Sequence, residues 1–447
     1  MPKEFTKNSG KGKTIDYELF LLKYLVVRSC FLNFGFQLYQ YMISFDNTEY
    51  AFAYKTSKEL KKAHFLFSAM GSPFLVNMGL KITPAAIKIH FPFAKTIIRK
   101  TIFSQFVGGE TLEQTAAVAN KLEKYNVQVI LDYGVEGGED GEEGYDHATT
   151  EFINVIDYAA TQKNIPFMSI KVTGIVRFGL LEKIDAAMHE SEGTLMKRYH
   201  KVVEQLPSTE RDEWQRAVSR LSKICDTANR KRVGVLVDAE ETWIQDPVDA
   251  LTILMMDTYN KGKAVVFNTL QLYRHDRFAF LKESYQAAID RNFILGAKLV
   301  RGAYMDKERR RAAEMSYPSP IQPDKETCDN DYNAAVEFCI EHLDNISLIV
   351  ASHNEYSNLF TTQLLDKKGL PHDHPHVHFS QLYGMSDNIT FNLAKSGCSV
   401  SKYLPFGPID DVIPYLMRRA QENSSVSGQT GRELGLIKKE LKRRGNN

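Results

Sequence analysis

The sequence predicts a (β/α)8 barrel preceded by N-terminal helices. Eight short β-branched or apolar runs recur between residues 127 and 407, each followed by a stretch long enough for a helix. Polar residues gather at the C-terminal ends of those runs, where a barrel collects its βα loops on one face. An open doubly wound sheet would carry a glycine-rich turn after its first strand, and none is present.

Residues 1–16 are polar and basic, and Leu19 to Phe36 are largely apolar. Lys23 and Arg28 interrupt that run and no small-residue cleavage site follows, which argues against a signal peptide and against a membrane span. Residues 1–44 therefore read as an extension ahead of the folded body, with Met42 an alternative start. A helical region is expected over 45–120, where Leu60, Ala63 and Phe67 fall at three- and four-residue spacing.

The barrel is expected over 121–440. Its strands are VQVILD (127–132), PFMSIKVTGI (166–175), RVGVLVDAEE (232–241), KAVVFNTLQLY (263–273), AKLVRGAY (297–304), SLIVASHN (347–354), VHFSQLYG (377–384) and CSVSKYLPFG (398–407). The acidic GVEGGEDGEEG segment (134–144) would repel a pyrophosphate and reads as a solvated loop. The charged, helical stretch 179–230 is an insertion between the second and third strands, with no chemical signature.

A net charge of +1 gives no global footprint for nucleic acid, so attraction to an anion must come from a local cluster. Five cysteines without a CxxC pair read as reduced thiols of a cytosolic-type compartment, not a zinc site. HDHPHVH (372–378) invites a metal reading, with His376 and His378 alternating on a strand and pointing the same way. That segment precedes strand seven, at the barrel end away from the active face, so it reads as a solvated loop and no metal is assigned.

The sharpest signal is YLPFGPIDDVIPYLMRRAQEN (403–423). A strand ends, Pro405, Gly407 and Pro408 make a turn, and a helix begins with Asp410 and Asp411 at its positive end. Tyr415, Arg419 and Glu422 lie at i, i+4 and i+7, with Arg418 beside them, which puts two guanidinium groups on one face. An Arg418–Glu422 surface pair is the bland reading; adjacent arginines at a barrel mouth suit a carboxylate, whose geometry their forks match.

This run resembles proline dehydrogenases, both stand-alone and in bifunctional bacterial proteins. The resemblance continues through KLVRGAYMD (298–306), VDAEE (237–241), ASHN (351–354) and FSQLYGM (379–385), in order, over roughly 125–430. It implies a distorted β/α barrel with FAD at the strand C-termini and L-proline as substrate. Arg418, Arg419 and Lys171 would hold the proline carboxylate. Tyr403 and Leu382 would pack on the ring, Tyr304 and Tyr415 would line the pocket, and Asp238 would sit beside it. Gln271, Lys298, Arg301, Ser352, His353 and Glu422 would contact FAD.

The resemblance further implies hydride transfer to flavin N5, Δ1-pyrroline-5-carboxylate as product, and a quinone acceptor with transient membrane contact, for which Leu19 to Tyr41 could serve as an interfacial helix. The location would be cytoplasmic or peripheral at the inner membrane in a bacterium, and mitochondrial in a eukaryote. Lys298 and Met305 stand where the bifunctional group has Arg and Trp, and Ser352 replaces Thr, which looks more like the eukaryotic-type branch. Relatives that prefer hydroxyproline tend to lack a tyrosine at position 403. Hydroxyproline or another cyclic amine is the alternative substrate. A Schiff-base aldolase using Lys171 is a rival class, but it needs no arginine pair.

Overall fold

Eight parallel strands close on themselves in the order β1-β2-β3-β4-β5-β6-β7-β8. They are β1 Gln128–Tyr133, β2 Phe167–Ile170, β3 Gly234–Val237, β4 Val266–Gln271, β5 Leu295–Val300, β6 Ile346–Ala351, β7 Val377–Leu382 and β8 Val400–Phe406. The computed structural model describes residues 43–88, 93–134, 141–425 and 427–445. Contacts divide the chain into Met1–Ser44 and Phe45–Asn447, and the barrel with all its described helices belongs to the second unit. The expectations for Leu19 to Tyr41 lie outside the described residues.

Except for β1, which runs one residue further, the observed strands stop short of the sequence runs at the C-terminal end. KVTGI continues the β-branched pattern, yet Lys171 begins a tight turn, Val172–Gly174. DAEE likewise follows β3 and leads into the helix Thr242–Tyr259. Chemistry-bearing side chains therefore sit on βα loops or in the last half of a strand.

Alternation with period two turns one set of side chains inward. Ile130, Leu236, Phe267, Ile349 and Tyr403 pack together there, with Phe167 and Leu382 against them. At the N-terminal end Phe167 meets Phe267 edge to face, with ring centroids 5.6 Å apart, and His378 5.0 Å from its other side. Gly234 and Gly296 make the room. A Cβ at Gly234 would lie 2.4 Å from Phe167, and one at Gly296 2.2 Å from the Val266 carbonyl.

The histidines of this segment go to separate partners. His376 Nδ1 lies 2.6 Å from the Leu343 carbonyl oxygen, His372 pairs with Asp366, and buried His378 meets the Ser401 hydroxyl at 2.7 Å. His376 precedes β7 and turns outward to a neighbouring loop, so the shared direction expected of two alternating strand residues is not realised. The acidic segment after β1 is also not all loop. The helix Gly141–Ala160 begins within it, and Glu142 and Asp146 bind Arg220, which is buried in the helix Ser208–Lys231 of the insertion. Residues 135–140 lie outside the described set.

A helical layer covers one side of the mouth. The helices Ser57–Met70, Pro73–Lys88 and Ala94–Ile98 pack with Ile409–Ser425 and Ser427–Arg443 around Phe67, Phe103, Phe106, Val412 and Leu416. A buried charge cluster joins this layer to β8. Asp387 accepts Lys402 at 3.0 Å, Lys55 at 2.8 Å and the Tyr54 hydroxyl at 2.8 Å. Burial pushes the Glu433 carboxyl beside it up to about 7, with Asp387 pushing the same way. Lys402 and Asp387 are fully buried, so the carboxylate is what makes two buried ammonium groups tolerable. Asp387→Asn should lower stability by about 3–5 kcal/mol in urea unfolding. A loss under about 1 kcal/mol would mean the cluster does not hold the layer to the barrel.

Candidate active site

Charge concentrates at the C-terminal mouth of the barrel. Asp238, just past β3, accepts the Lys298 ammonium from β5 and, at 2.7 Å, the Tyr403 hydroxyl from β8. The same ammonium stands 5.1 Å over the Tyr403 ring. Three strands that are not neighbours are thus bridged by one carboxylate. Burial alone would raise the Asp238 pKa, but Lys298 and Lys171 beside it hold it below the usual range, so the group stays ionised. Burial, Asp132 and Asp238 together keep the Tyr403 phenol protonated far above its ordinary range.

Lys171 lies next to this bridge. Its ammonium is 3.8 Å from Asp132 at the end of β1. The turn that carries it is held by Glu240, which accepts the Thr173 hydroxyl at 2.7 Å and the Thr173 N–H at 3.3 Å. Glu240 is buried, and desolvation pushes its carboxyl up to about 7 despite the Thr173 bonds and Lys171. Burial likewise raises the Tyr304 phenol, with Glu240 adding to the rise and Arg418 and Lys171 opposing it. Tyr304, Arg418, Lys171 and Glu240 are therefore electrostatic neighbours.

A second group forms past β5 and β6. Arg301 donates to Asp329 at 2.7 Å, to the Ser352 hydroxyl at 2.8 Å and to the Ser357 hydroxyl at 3.0 Å, and its guanidinium lies 4.2 Å over the Tyr332 ring. His353 Nδ1 contacts the Ser386 hydroxyl at 2.9 Å. Burial, with Lys402, Arg419 and Arg301 nearby, lowers its pKa to about 3, so the imidazole is neutral. Any further bond to a ligand falls to Nε2.

The helix Ile409–Ser425 brings in the arginine pair. Gly407 turns the chain out of β8 at φ 141°, a conformation that favours glycine. Arg419 is buried, its guanidinium 5.2 Å over the Tyr415 ring, and its charge reaches His353, while that of half-buried Arg418 reaches Tyr304. Leu382, at the end of β7, packs against both the barrel interior around Tyr403 and the helical layer around Tyr415.

The predicted residues whose side chains are described thus all lie at the C-terminal end of the barrel. Gln271 is buried at the end of β4, and its Oε1 has no hydrogen-bond partner among the described residues. The side chain of Glu422 lies outside the described set. The sequence reading passed over Asp132 and Glu240, although both stand inside quoted motifs, at the end of VQVILD and within VDAEE.

A family model described as proline dehydrogenase matches residues 115–432. The chain belongs to the proline dehydrogenase family. It is 32% identical over 376 residues to "Proline dehydrogenase 1, mitochondrial" of Dictyostelium discoideum, covering 78% of this chain and 65% of that relative. It is 31% identical over 415 residues to a hydroxyproline dehydrogenase of Xenopus laevis, covering 88% of each. Proline utilization A from Bdellovibrio bacteriovorus shares the fold, with a TM-score of 0.64 and 20% identity over 83% of this chain and 37% of that one. The chain thus spans just under two thirds of the Dictyostelium relative and little more than a third of the solved bacterial protein.

Glu240 makes a pH prediction. Its folded pKa is raised from 4.5 to about 7, so its ionisation subtracts stability as pH rises between those values. Glu240→Gln should therefore match the parent near the acid end and gain about 2–3 kcal/mol on it above neutrality. Parallel stability curves for the two proteins across that range would show that Glu240 does not titrate there.

Proposed function

We propose that this chain is an FAD-dependent proline dehydrogenase that oxidises L-proline to Δ1-pyrroline-5-carboxylate and passes the electrons to a quinone. The observation that carries the reading is the convergence of Lys171, Arg418 and Arg419 on the barrel mouth, beside the Lys298–Asp238–Tyr403 bridge.

The mouth fits a flavin. Gln271 offers a buried amide oxygen with no hydrogen-bond partner among the described residues, Lys298 and Arg301 offer positive charge, and Ser352 and His353 offer polar contacts just past β6. In this reading Gln271, Lys298, Arg301, Ser352, His353 and Glu422 hold the cofactor. Bound FAD supplies the hydride acceptor.

Proline arrives as a zwitterion. Arg418 and Arg419 take its carboxylate, and Lys171 adds a third positive charge. Those cations also disfavour the protonated ring nitrogen, and the amine must be neutral before the neighbouring C–H can leave as hydride. Tyr403 and Leu382 pack on the ring, and Tyr304 and Tyr415 close the sides, so the reacting carbon is held at short range and water is kept out. The hydride leaves from carbon, the proton leaves from nitrogen, and a C=N bond forms.

Asp238 acts through its neighbours. It holds Lys298 in place and commits the Tyr403 hydroxyl, so Tyr403 presents its ring to the substrate. With its hydroxyl turned to Asp238 and its ring packed on the substrate, Tyr403 favours proline over hydroxyproline. Lys171 as a Schiff-base nucleophile fits poorly, because an aldolase of that class has no use for an arginine pair at the same mouth.

Among the described residues no helix is long and apolar enough to cross a membrane. A quinone acceptor would bring the enzyme to a membrane surface, at the mitochondrial inner membrane if the source is a eukaryote and the cytoplasmic membrane if it is a bacterium.

The test is turnover of L-proline with a soluble dye acceptor, with the cyclic imine trapped by 2-aminobenzaldehyde. Arg419→Met and Arg418→Met should each weaken proline binding by about 2–4 kcal/mol while flavin content survives. Unchanged apparent affinity in both variants would remove the arginines from the carboxylate site.

A further inference from the structure

We infer that the outer face of the helices Ser57–Met70, Pro73–Lys88 and Ala94–Ile98 docks on an anionic lipid bilayer, and that this face brings the active-site helix to the membrane. The inference rests on the quinone-linked reading above and adds to it the surface involved.

The charge is local. Residues 57–106 hold eight lysines and arginines against one acidic residue, Glu59, while the whole chain carries a net charge of only +1. The rest of the chain taken together is therefore net acidic; within the segment Lys95 pairs with Asp410 and Arg99 with Glu110, while Lys58, Lys61, Lys81 and Lys100 are exposed.

The same segment exposes large apolar side chains. Phe65 is 73% exposed, Phe74 74% and Phe93 77%. Ile97 is 58% exposed, with Met78 at 44% and Leu75 at 43%. Isolated exposed apolar residues mean little, but six within 33 positions on consecutive packed helices make a surface.

The two properties are in register. Phe74, Met78 and Lys81 fall at i, i+4 and i+7 on one helix, and Phe93, Ile97 and Lys100 are all exposed along the segment that follows. On the first helix Lys58, Lys61, Lys62 and Phe65 share the side opposite the buried Leu60, Ala63 and Phe67. Each row thus pairs aromatic or aliphatic bulk with an ammonium group on a long flexible stem. An interfacial helix has that arrangement: the apolar part enters the headgroup–acyl boundary and the lysines reach lipid phosphates.

A second copy of the chain fits less well. A two-fold contact would place this basic face against itself and bring like charges together.

The face also lies behind the proposed substrate clamp. An apolar cavity of about 180 Å³ separates it from the helix Ile409–Ser425, lined by Leu75, Ile98, Ile413, Leu416 and Met417. The last three belong to the helix that carries Arg418 and Arg419. A bilayer docked here would hold an apolar acceptor within one helical layer of the site.

Vesicle flotation of the full chain tests this. It should float with vesicles of equal parts phosphatidylcholine and phosphatidylglycerol, stay unbound with phosphatidylcholine alone, and release on adding salt. Lys61→Glu, Lys81→Glu and Lys100→Glu combined should weaken binding roughly 100-fold. Phe74→Ser, Met78→Ser and Phe93→Ser combined should weaken it about tenfold or more. Dye-coupled turnover should be unchanged in both variants.

Failure of the parent to bind anionic vesicles would overturn the inference. So would full binding by both variants, which would place the contact elsewhere, or a parent dimer that the apolar variant dissociates without any vesicle binding. Because flotation does not depend on turnover, a protein that binds vesicles through this face yet ignores proline would contradict the catalytic reading and leave the docking surface standing.

Discussion

The structure turns on gathering several positive charges in a poorly hydrated barrel mouth without letting them unfold it. Buried cations repel one another and cost several kcal/mol each to desolvate unless a carboxylate answers them. Asp238 answers two, Lys298 directly and Lys171 nearby, and its own ionisation is held by them. Because its partners come from β5 and β8, the same contact that neutralises charge also ties distant strands across the mouth. Arg418 and Arg419 enter from outside the barrel, on the helix after β8.

A second buried carboxylate does the corresponding work one layer out. Asp387 binds Lys402 from β8 and Lys55 from the turn just before the helix Ser57–Met70, with Glu433 from the C-terminal helix close by. The helical layer is thereby held to the strand that also bears Tyr403. Lys402 and Tyr403 are adjacent and point to opposite sides of β8, one into the charge cluster and one into the barrel. Substrate-facing and scaffold-facing electrostatics share one strand, which leaves little freedom for the ring of Tyr403 to shift.

Much of this was legible in the sequence because its rhythm is physical. Eight β-branched runs at helix-length spacing leave few alternatives to a barrel, and polar residues at their C-terminal ends mark the face where loops converge. The runs overshot where β-branched residues continue into turns, as in KVTGI, since pattern alone does not show that Lys171 starts a tight turn. The arginine pair was legible from helical spacing. Asp132 and Glu240 were not, because a carboxylate's importance here depends on which cation lies across the barrel from it. The histidine segment misled in part: alternation predicts a common direction only while the strand lasts, and His376 lies before β7 begins. The acidic segment after β1 was half misread for a related reason, because Glu142 gains helical structure from partners some 74 residues away in Arg216 and 78 in Arg220.

The most direct test of the central claim is an anaerobic absorbance spectrum of the purified protein before and after adding L-proline. A flavin band near ~450 nm that bleaches with L-proline, and far less with trans-4-hydroxy-L-proline, is the predicted result. A protein that stays colourless even after FAD is supplied, or a flavin band that L-proline leaves untouched, would contradict it.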